Sequence, residues 1–165
     1  MRTDKLYIVG FMGAGKTTVA RALGRRLGWH VEDIDECIEA RERRGIATIF
    51  AQEGEPYFRQ VERDVLRTVL PERNLVVATG GGTFVDAENR AAMLTDGAVV
   101  WLDVPLACVF DRVPADGRRP LAADRVQMEQ LYLTRHMAYS QAHVRVDGEK
   151  PVAEVVERIL EWIGY

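Results

Sequence analysis

Short apolar runs alternate along this chain with longer stretches in which apolar residues recur every three or four positions. Residues 6–9 read as a buried strand, followed by a glycine-rich turn. Val19, Ala20, Leu23 and Leu27 then mark a helix over 16–27, which Gly28 ends. Residues 30–34 form a short second strand. Residues 35–44 and 46–70 have helical spacing, broken near Gly45 and around Gly54 and Pro56. Residues 75–78 are a third apolar run, ending in Thr79 and three glycines. A helix over 87–94, a strand over 98–102 and a helix over 106–113 follow. The pattern closes with a long helix over 125–142, a brief strand over 144–146 and an amphipathic helix over 152–163.

Strands alternating with helices predict an α/β fold with three layers, a five-stranded parallel sheet covered on both faces. Ligands of such sheets gather at the carboxyl ends of the strands. The polar residues of interest all follow strands: the loop at Gly10, Asp33 with Asp35, and the loop at Gly80. Residues 114–124 lack apolar periodicity and carry Gly117, Arg118, Arg119 and Pro120, so they read as a surface loop.

Composition narrows the class. The chain has 165 residues, 47% hydrophobic and 28% charged, which fits one soluble domain with a sizeable core. No apolar run approaches the roughly 18 residues of a membrane span, and residues 1–5 do not form a signal peptide. Cys37 and Cys108 make no metal-ligand pattern and read as reduced thiols of a cytoplasmic protein. A net charge of −3, with no basic stripe interleaved with aromatics, disfavours nucleic-acid binding. Of the 22 basic residues, 19 are Arg. The three Lys are Lys5, Lys16 and Lys150, which makes the presence of Lys at position 16 informative.

Gly10-Phe11-Met12-Gly13-Ala14-Gly15-Lys16-Thr17 matches the phosphate loop G-x-x-x-x-G-K-[ST], with a strand before it and a helix after it. Glycines let backbone N–H groups converge on phosphate oxygens, and the helix adds its N-terminal donors. Lys16 reaches the β- and γ-phosphates and Thr17 offers a hydroxyl to Mg²⁺. The motif implies a nucleoside triphosphate but leaves the phosphoryl acceptor open. Asp33 and Asp35, two apart at the end of a strand, would point the same way. One could hold the Mg²⁺ hydration shell and the other could take a proton from an acceptor hydroxyl. Helix capping explains such aspartates equally well. Gly80, Gly81 and Gly82 permit close approach to a ligand, or simply make a tight turn. Arg59, Arg119 and Arg135 are candidate anion grips, although surface arginines are common and spacing alone does not choose among them.

Several separated segments together resemble the shikimate kinases. They are Phe11-Met12-Gly13-Ala14-Gly15-Lys16-Thr17-Thr18, Asp33-Ile34-Asp35, Phe58-Arg59 with Glu62, Ala78-Thr79-Gly80-Gly81-Gly82, Arg119-Pro120-Leu121, and a late helix with Arg135 and Tyr139. The resemblance covers nearly the whole chain. It implies a single P-loop domain over 1–165 of the nucleoside-monophosphate-kinase-like type. A lid would lie around 113–124 and a substrate-binding helical segment around 33–62. It further implies transfer of the γ-phosphoryl group of ATP, with Mg²⁺, to the 3-hydroxyl of shikimate in aromatic amino acid biosynthesis.

By the same resemblance, Gly13, Ala14, Gly15, Lys16, Thr17 and Thr18 hold the nucleotide and Arg112 lies beside the adenine. Thr17 and Asp33 serve the metal. Asp35 binds the shikimate hydroxyls and assists deprotonation, so that Lys16, Asp35 and Arg119 form the catalytic set. Arg59 and Arg135 grip the carboxylate, Gly80, Gly81 and Gly82 present backbone N–H groups, and Phe50 and Phe58 are apolar walls. Arg119 reaches the phosphates from the lid. The chain departs from the family pattern at Ala122, where a second leucine is usual, and at 148–151, which match the adenine-contacting segment loosely. The expected functional unit is a monomer. The competing readings are a gluconate or nucleotide kinase of the same fold, and a non-catalytic ATP-dependent switch, against which Lys16, Thr17, Asp33 and Asp35 argue.

Overall fold

The computed structural model describes residues 1–112 and 125–165. The expected lid around 113–124, with Arg119 and Ala122, lies outside the described residues. Five strands form one all-parallel sheet: β1 (Lys5–Val9), β2 (His30–Asp33), β3 (Leu75–Ala78), β4 (Ala98–Asp103) and β5 (Val144–Asp147), in the order β2-β3-β1-β4-β5. The described helices are α1 (Lys16–Leu27), α2 (Ile34–Glu42), α3 (Ile46–Glu53), α4 (Glu55–Val69), α5 (Ala87–Asp96), α6 (Leu106–Arg112), α7 (Arg125–Tyr139) and α8 (Val152–Ile163).

The continuous apolar runs follow from burial on both faces. Leu6, Tyr7, Ile8, Leu75, Val76, Val77, Val99 and Val100 are fully buried. The connection from β1 to β2 runs in one direction along the sheet and those from β3 to β4 and β4 to β5 in the other. Right-handed crossovers therefore place α1 on one face and α5 and α7 on the opposite one. α8 returns to pack on α1. The loops after β1 and β3 thus leave adjacent strands in opposite directions and open a crevice at the carboxyl edge of the sheet. This is where the glycine-rich segments lie.

Several boundaries differ from those read in the sequence, three of them for reasons visible in the hydrogen bonding or backbone. β2 stops at Asp33, because that side chain caps α2 by accepting a hydrogen bond from the Glu36 backbone N–H. Asp35 is consequently in a first helical turn rather than in a strand, so strand alternation does not explain how it faces the site. α2 ends at Glu42, where Arg43 turns left-handed (φ 55°). α7 ends at Tyr139 instead of Ala142, with the Ser140, Gln141 and Ala142 amides bonded in turns to His136, Ala138 and Tyr139.

The amino edge of the sheet carries a polar cluster. Lys5 is fully buried, and its Nζ donates to the carbonyls of Val69 (2.8 Å) and Leu70 (2.7 Å) at the end of α4. It also pairs with Asp96 Oδ2 at 2.8 Å. Tyr7, on the same face of β1 two residues on, donates to the same carboxylate at 2.5 Å, and Arg73 donates at 3.0 Å. Burial raises the Asp96 carboxyl, but the hydrogen bonds from Lys5, Tyr7 and Arg73 outweigh it and hold the group below its ordinary range.

Lys5→Met keeps the aliphatic stem but removes the buried ammonium from two carbonyls and a carboxylate. It should lower the unfolding free energy by about 3 kcal/mol, read as a lower urea midpoint at unchanged slope. Because the folded Asp96 pKa is depressed, its contribution is present above the unfolded carboxyl value of about 3.9 and is lost as pH falls below it. Asp96→Asn should flatten that acid limb.

Candidate active site

The loop between β1 and α1 has left-handed backbone at Gly13 (φ 74°) and Gly15 (φ 94°). Gly10 (φ 148°) lies so close to β4 that a β-carbon there would stand 2.5 Å from the Leu102 carbonyl oxygen. The loop therefore bends as a phosphate cradle must. Lys16 is buried and donates from Nζ to the carbonyls of Gly10 and Phe11, each at 2.8 Å. This holds the ammonium over the loop. Thr18 extends the first turn of α1. Arg112, at the end of α6, reaches back to the loop with one guanidinium nitrogen 3.4 Å from the Gly13 carbonyl oxygen.

Asp33 joins the phosphate loop to the acceptor side. Its Oδ2 accepts from the Thr17 hydroxyl at 2.6 Å, while Oδ1 caps α2. The capping and metal readings of this aspartate therefore coexist in one side chain. Thr17 and Asp33 offer a hydroxyl and a carboxylate, a hard-oxygen pair that suits Mg²⁺ completed by water and phosphate oxygens. Among the described residues no group of three His, Cys, Asp or Glu could hold a metal.

A cleft of about 650 Å³ opens beside this pair, lined by Met12, Thr17, Asp33, Asp35, Phe50, Phe58, Arg59, Glu62, Gly80, Gly81, Gly82, Arg112 and Arg135, with Glu36, Glu39 and residues 45–47 at its α2–α3 side. The three glycines after β3 explain how it is assembled. A β-carbon on Gly80 would stand 2.8 Å from Asp35 Oδ1, and one on Gly81 2.7 Å from an Arg135 guanidinium nitrogen. One on Gly82 would overlap the Arg59 guanidinium. Asp35, Arg135 and Arg59 come from three different helices, and each presses against its own glycine. Side chains from three helices thus meet at one glycine segment. The phenyl rings of Phe50 and Phe58 lie 4.7 Å apart and wall the cleft, with the Arg59 guanidinium 5.1 Å from the Phe58 ring centre.

The two arginines are held differently. Arg59 donates to Glu62 (3.0 and 3.2 Å) and to Glu55 (3.3 Å). Burial lowers its pKa, but the charges of Glu62 and then Glu55 more than offset this. Arg135 is 5% exposed, and burial lowers its pKa below the ordinary arginine value. An anion bound beside it would relieve that desolvation.

Sequence reasoning assigned no role to two supports, Glu62, named only within a motif, and Thr83. Glu62 is 1% exposed and takes a further hydrogen bond from the Thr83 hydroxyl at 3.0 Å. Its signal was a charged residue inside the apolar stripe Phe58, Val61, Val65 and Leu66 of α4. Thr83 carried no comparable signal.

Gly82→Ala should displace Arg59 and reduce kcat/KM for a small carboxylate acceptor on the order of 10–100-fold, while KM for ATP stays within about twofold. Steady-state kinetics with each substrate varied in turn would check this.

Comparison with known proteins bears on which acceptor. A family model described as shikimate kinase matches residues 12–164. A shikimate kinase of Persephonella marina is 43% identical over 157 residues, covering 94% of this chain and 96% of the relative. Among solved structures, a shikimate kinase from Acinetobacter baumannii in complex with shikimate superposes with a TM-score of 0.93 at 36% identity, covering 97% of this chain and 92% of that one. The shikimate kinase of Aquifex aeolicus gives 0.87 at 37% identity, over 95% and 94%. A match that spans both the phosphate loop and the three-glycine cleft extends beyond a shared P-loop fold, and it shows that the chain belongs to the shikimate kinase family.

Proposed function

We propose that this protein transfers the γ-phosphoryl group of ATP to the 3-hydroxyl of shikimate, giving shikimate 3-phosphate and ADP. The observation that carries this is the meeting of Arg59, Arg135 and Asp35 on one glycine segment next to a complete phosphate loop. Two guanidinium groups suit a carboxylate, and a carboxylate facing the same cleft suits a hydroxylated ring. The aromatic pair Phe50 and Phe58 supplies an apolar wall for its carbon skeleton.

In the proposed reaction the acceptor oxygen attacks the γ-phosphorus, the bond to the β–γ bridging oxygen breaks, and ADP departs. Asp35 accepts the hydroxyl proton as the new O–P bond forms. Lys16 leaves its loop carbonyls or shares their bonds to neutralise charge on the transferring group, while the loop N–H groups hold the β-phosphate. Thr17 and Asp33 would hold Mg²⁺, which neutralises phosphate charge when bound. Arg59 and Arg135 orient the ring through its carboxylate, so that most of the barrier is met by positioning and electrostatics. Arg112 is assigned to the nucleotide side, and Arg119, outside the described residues, to the phosphates from the lid.

The scheme calls on no residue from a second copy, and the proposed working unit is a monomer in the cytoplasm. Among the described residues no helix is long and apolar enough to cross a membrane.

The decisive test is ADP release with Mg²⁺-ATP, with and without shikimate. Release that depends on shikimate is expected. Release stimulated instead by gluconate or by a nucleoside monophosphate would overturn the substrate assignment. Lys16→Ala should cut kcat about 100–1000-fold, and near-normal turnover in that variant would contradict its role. Arg135→Ala should weaken shikimate binding and spare ATP binding, as followed by titration calorimetry with each ligand separately.

A further inference from the structure

Tyr139 is the last residue of α7, one turn beyond Arg135, and its ring is 2% exposed. The ring is already packed, with the centre of Trp101 6.0 Å away. Its hydroxyl makes a bond that packing does not require, donating to the Gly81 carbonyl oxygen at 2.5 Å. Burial pushes the hydroxyl up to about 12, so it keeps its proton near neutral pH and remains a donor to Gly81.

One phenolic oxygen therefore ties the helix that carries Arg135 to the glycine segment after β3. The consequences reach across the cleft. Peptide planes are rigid and no peptide bond here is cis, so fixing the Gly81 carbonyl also fixes the direction of the Gly82 N–H, which points the opposite way. Gly82 is the residue that abuts Arg59, as Gly81 abuts Arg135. A turn made of three glycines has little conformational preference of its own. The flanking carbonyls of Gly80 and Gly82 are bonded by the Thr83 and Val85 amides, and the Tyr139 hydroxyl holds the Gly81 carbonyl between them.

We infer that Tyr139 is a positioning residue for the acceptor site, its hydroxyl holding α7 and the Gly81–Gly82 peptide in the register in which Arg135 receives the acceptor's carboxylate. The inference rests on the reading that Arg135 grips that carboxylate.

Tyr139→Phe keeps the ring and its packing and removes only the oxygen. In the full chain it should raise KM for shikimate about tenfold. KM for ATP should stay within about twofold, and the urea midpoint should change little. Two further measurements separate positioning from mere support. With the methyl ester of shikimate, which lacks the carboxylate charge, the penalty of Tyr139→Phe should shrink to about twofold or less. In Arg135→Ala, adding Tyr139→Phe should cost less than it does alone, because the tyrosine acts through Arg135. An unchanged KM for shikimate would overturn the inference. So would an equal loss with acid and ester, additive losses in the double variant, or a variant that loses stability while its folded fraction keeps normal kinetics. Should the unaltered chain fail to release ADP in response to shikimate, the functional reading itself falls and this inference with it. Normal turnover in the unaltered chain with an indifferent Tyr139→Phe sinks only the role of the tyrosine.

Discussion

The site depends on the absence of side chains at three consecutive positions. Asp35, Arg135 and Arg59 reach the backbone at Gly80, Gly81 and Gly82 so closely that a methyl group at any of the three would collide with a charged group. Three charged residues from α2, α7 and α4 can then share one small volume. Larger residues would push the helices outward and separate the guanidinium groups by the width of a side chain. Binding a carboxylate between two arginines requires their separation to be fixed before the ligand arrives, since reorganisation during binding costs affinity. The glycine run sets that separation, and the turn gains from neighbouring side chains the rigidity it lacks by itself.

That rigidity comes from a connected polar network. Glu62 is buried between Arg59 and Thr83, and Asn89 donates to the Thr83 carbonyl at 3.1 Å. The α4 arginine is thereby tied through a buried carboxylate to the start of α5. Tyr139, one turn beyond Arg135, ties α7 to Gly81. No described buried side-chain nitrogen or oxygen lacks a partner. A buried network of this kind rigidifies when every member is satisfied and is costly when one is missing. The α4 arginine thus has an ionic support, and the helix that carries the α7 arginine has a phenolic one.

Most of the architecture was legible because its signals are local. Apolar runs gave all five strands, and the phosphate loop could be placed because the pattern G-x-x-x-x-G-K-[ST] has a mechanism that needs that spacing. Asp35 was misplaced, at a strand end instead of in a first helical turn, because strand end and helix cap share Asp33 and strand alternation was carried past it. The convergence of Arg59 with Arg135 was not legible from spacing. They are 76 positions apart, and among 19 arginines only the resemblance to a family singled them out. Tyr139 was visible in that same motif, yet its function as a tie depends on a carbonyl 58 residues away. Lysine usage proved more informative than it first looked. In a chain that nearly always chooses arginine, Lys5 and Lys16 are both buried and each points a compact ammonium at two backbone carbonyls. A planar guanidinium is ill suited to so narrow a space.

The two lysines stand at opposite edges of the sheet, and together they explain how α4 is used. Lys5 donates to the carbonyls of Val69 and Leu70 at the carboxyl end of that helix, where unsatisfied acceptors and the negative end of the dipole favour a cation. The apolar stripe from Phe58 to Val69 then fixes the rotation of the helix against the core. With one end bonded and the rotation set, the position of the amino-terminal half follows, and that half carries Phe58, Arg59 and Glu62. Arg59 lies about ten residues, or roughly 15 Å, from the Lys5 anchor. A contact at the far edge of the molecule therefore helps to place a guanidinium in the cleft. The sheet transmits this because β1 carries Lys5 at its start and runs directly into the phosphate loop at its end.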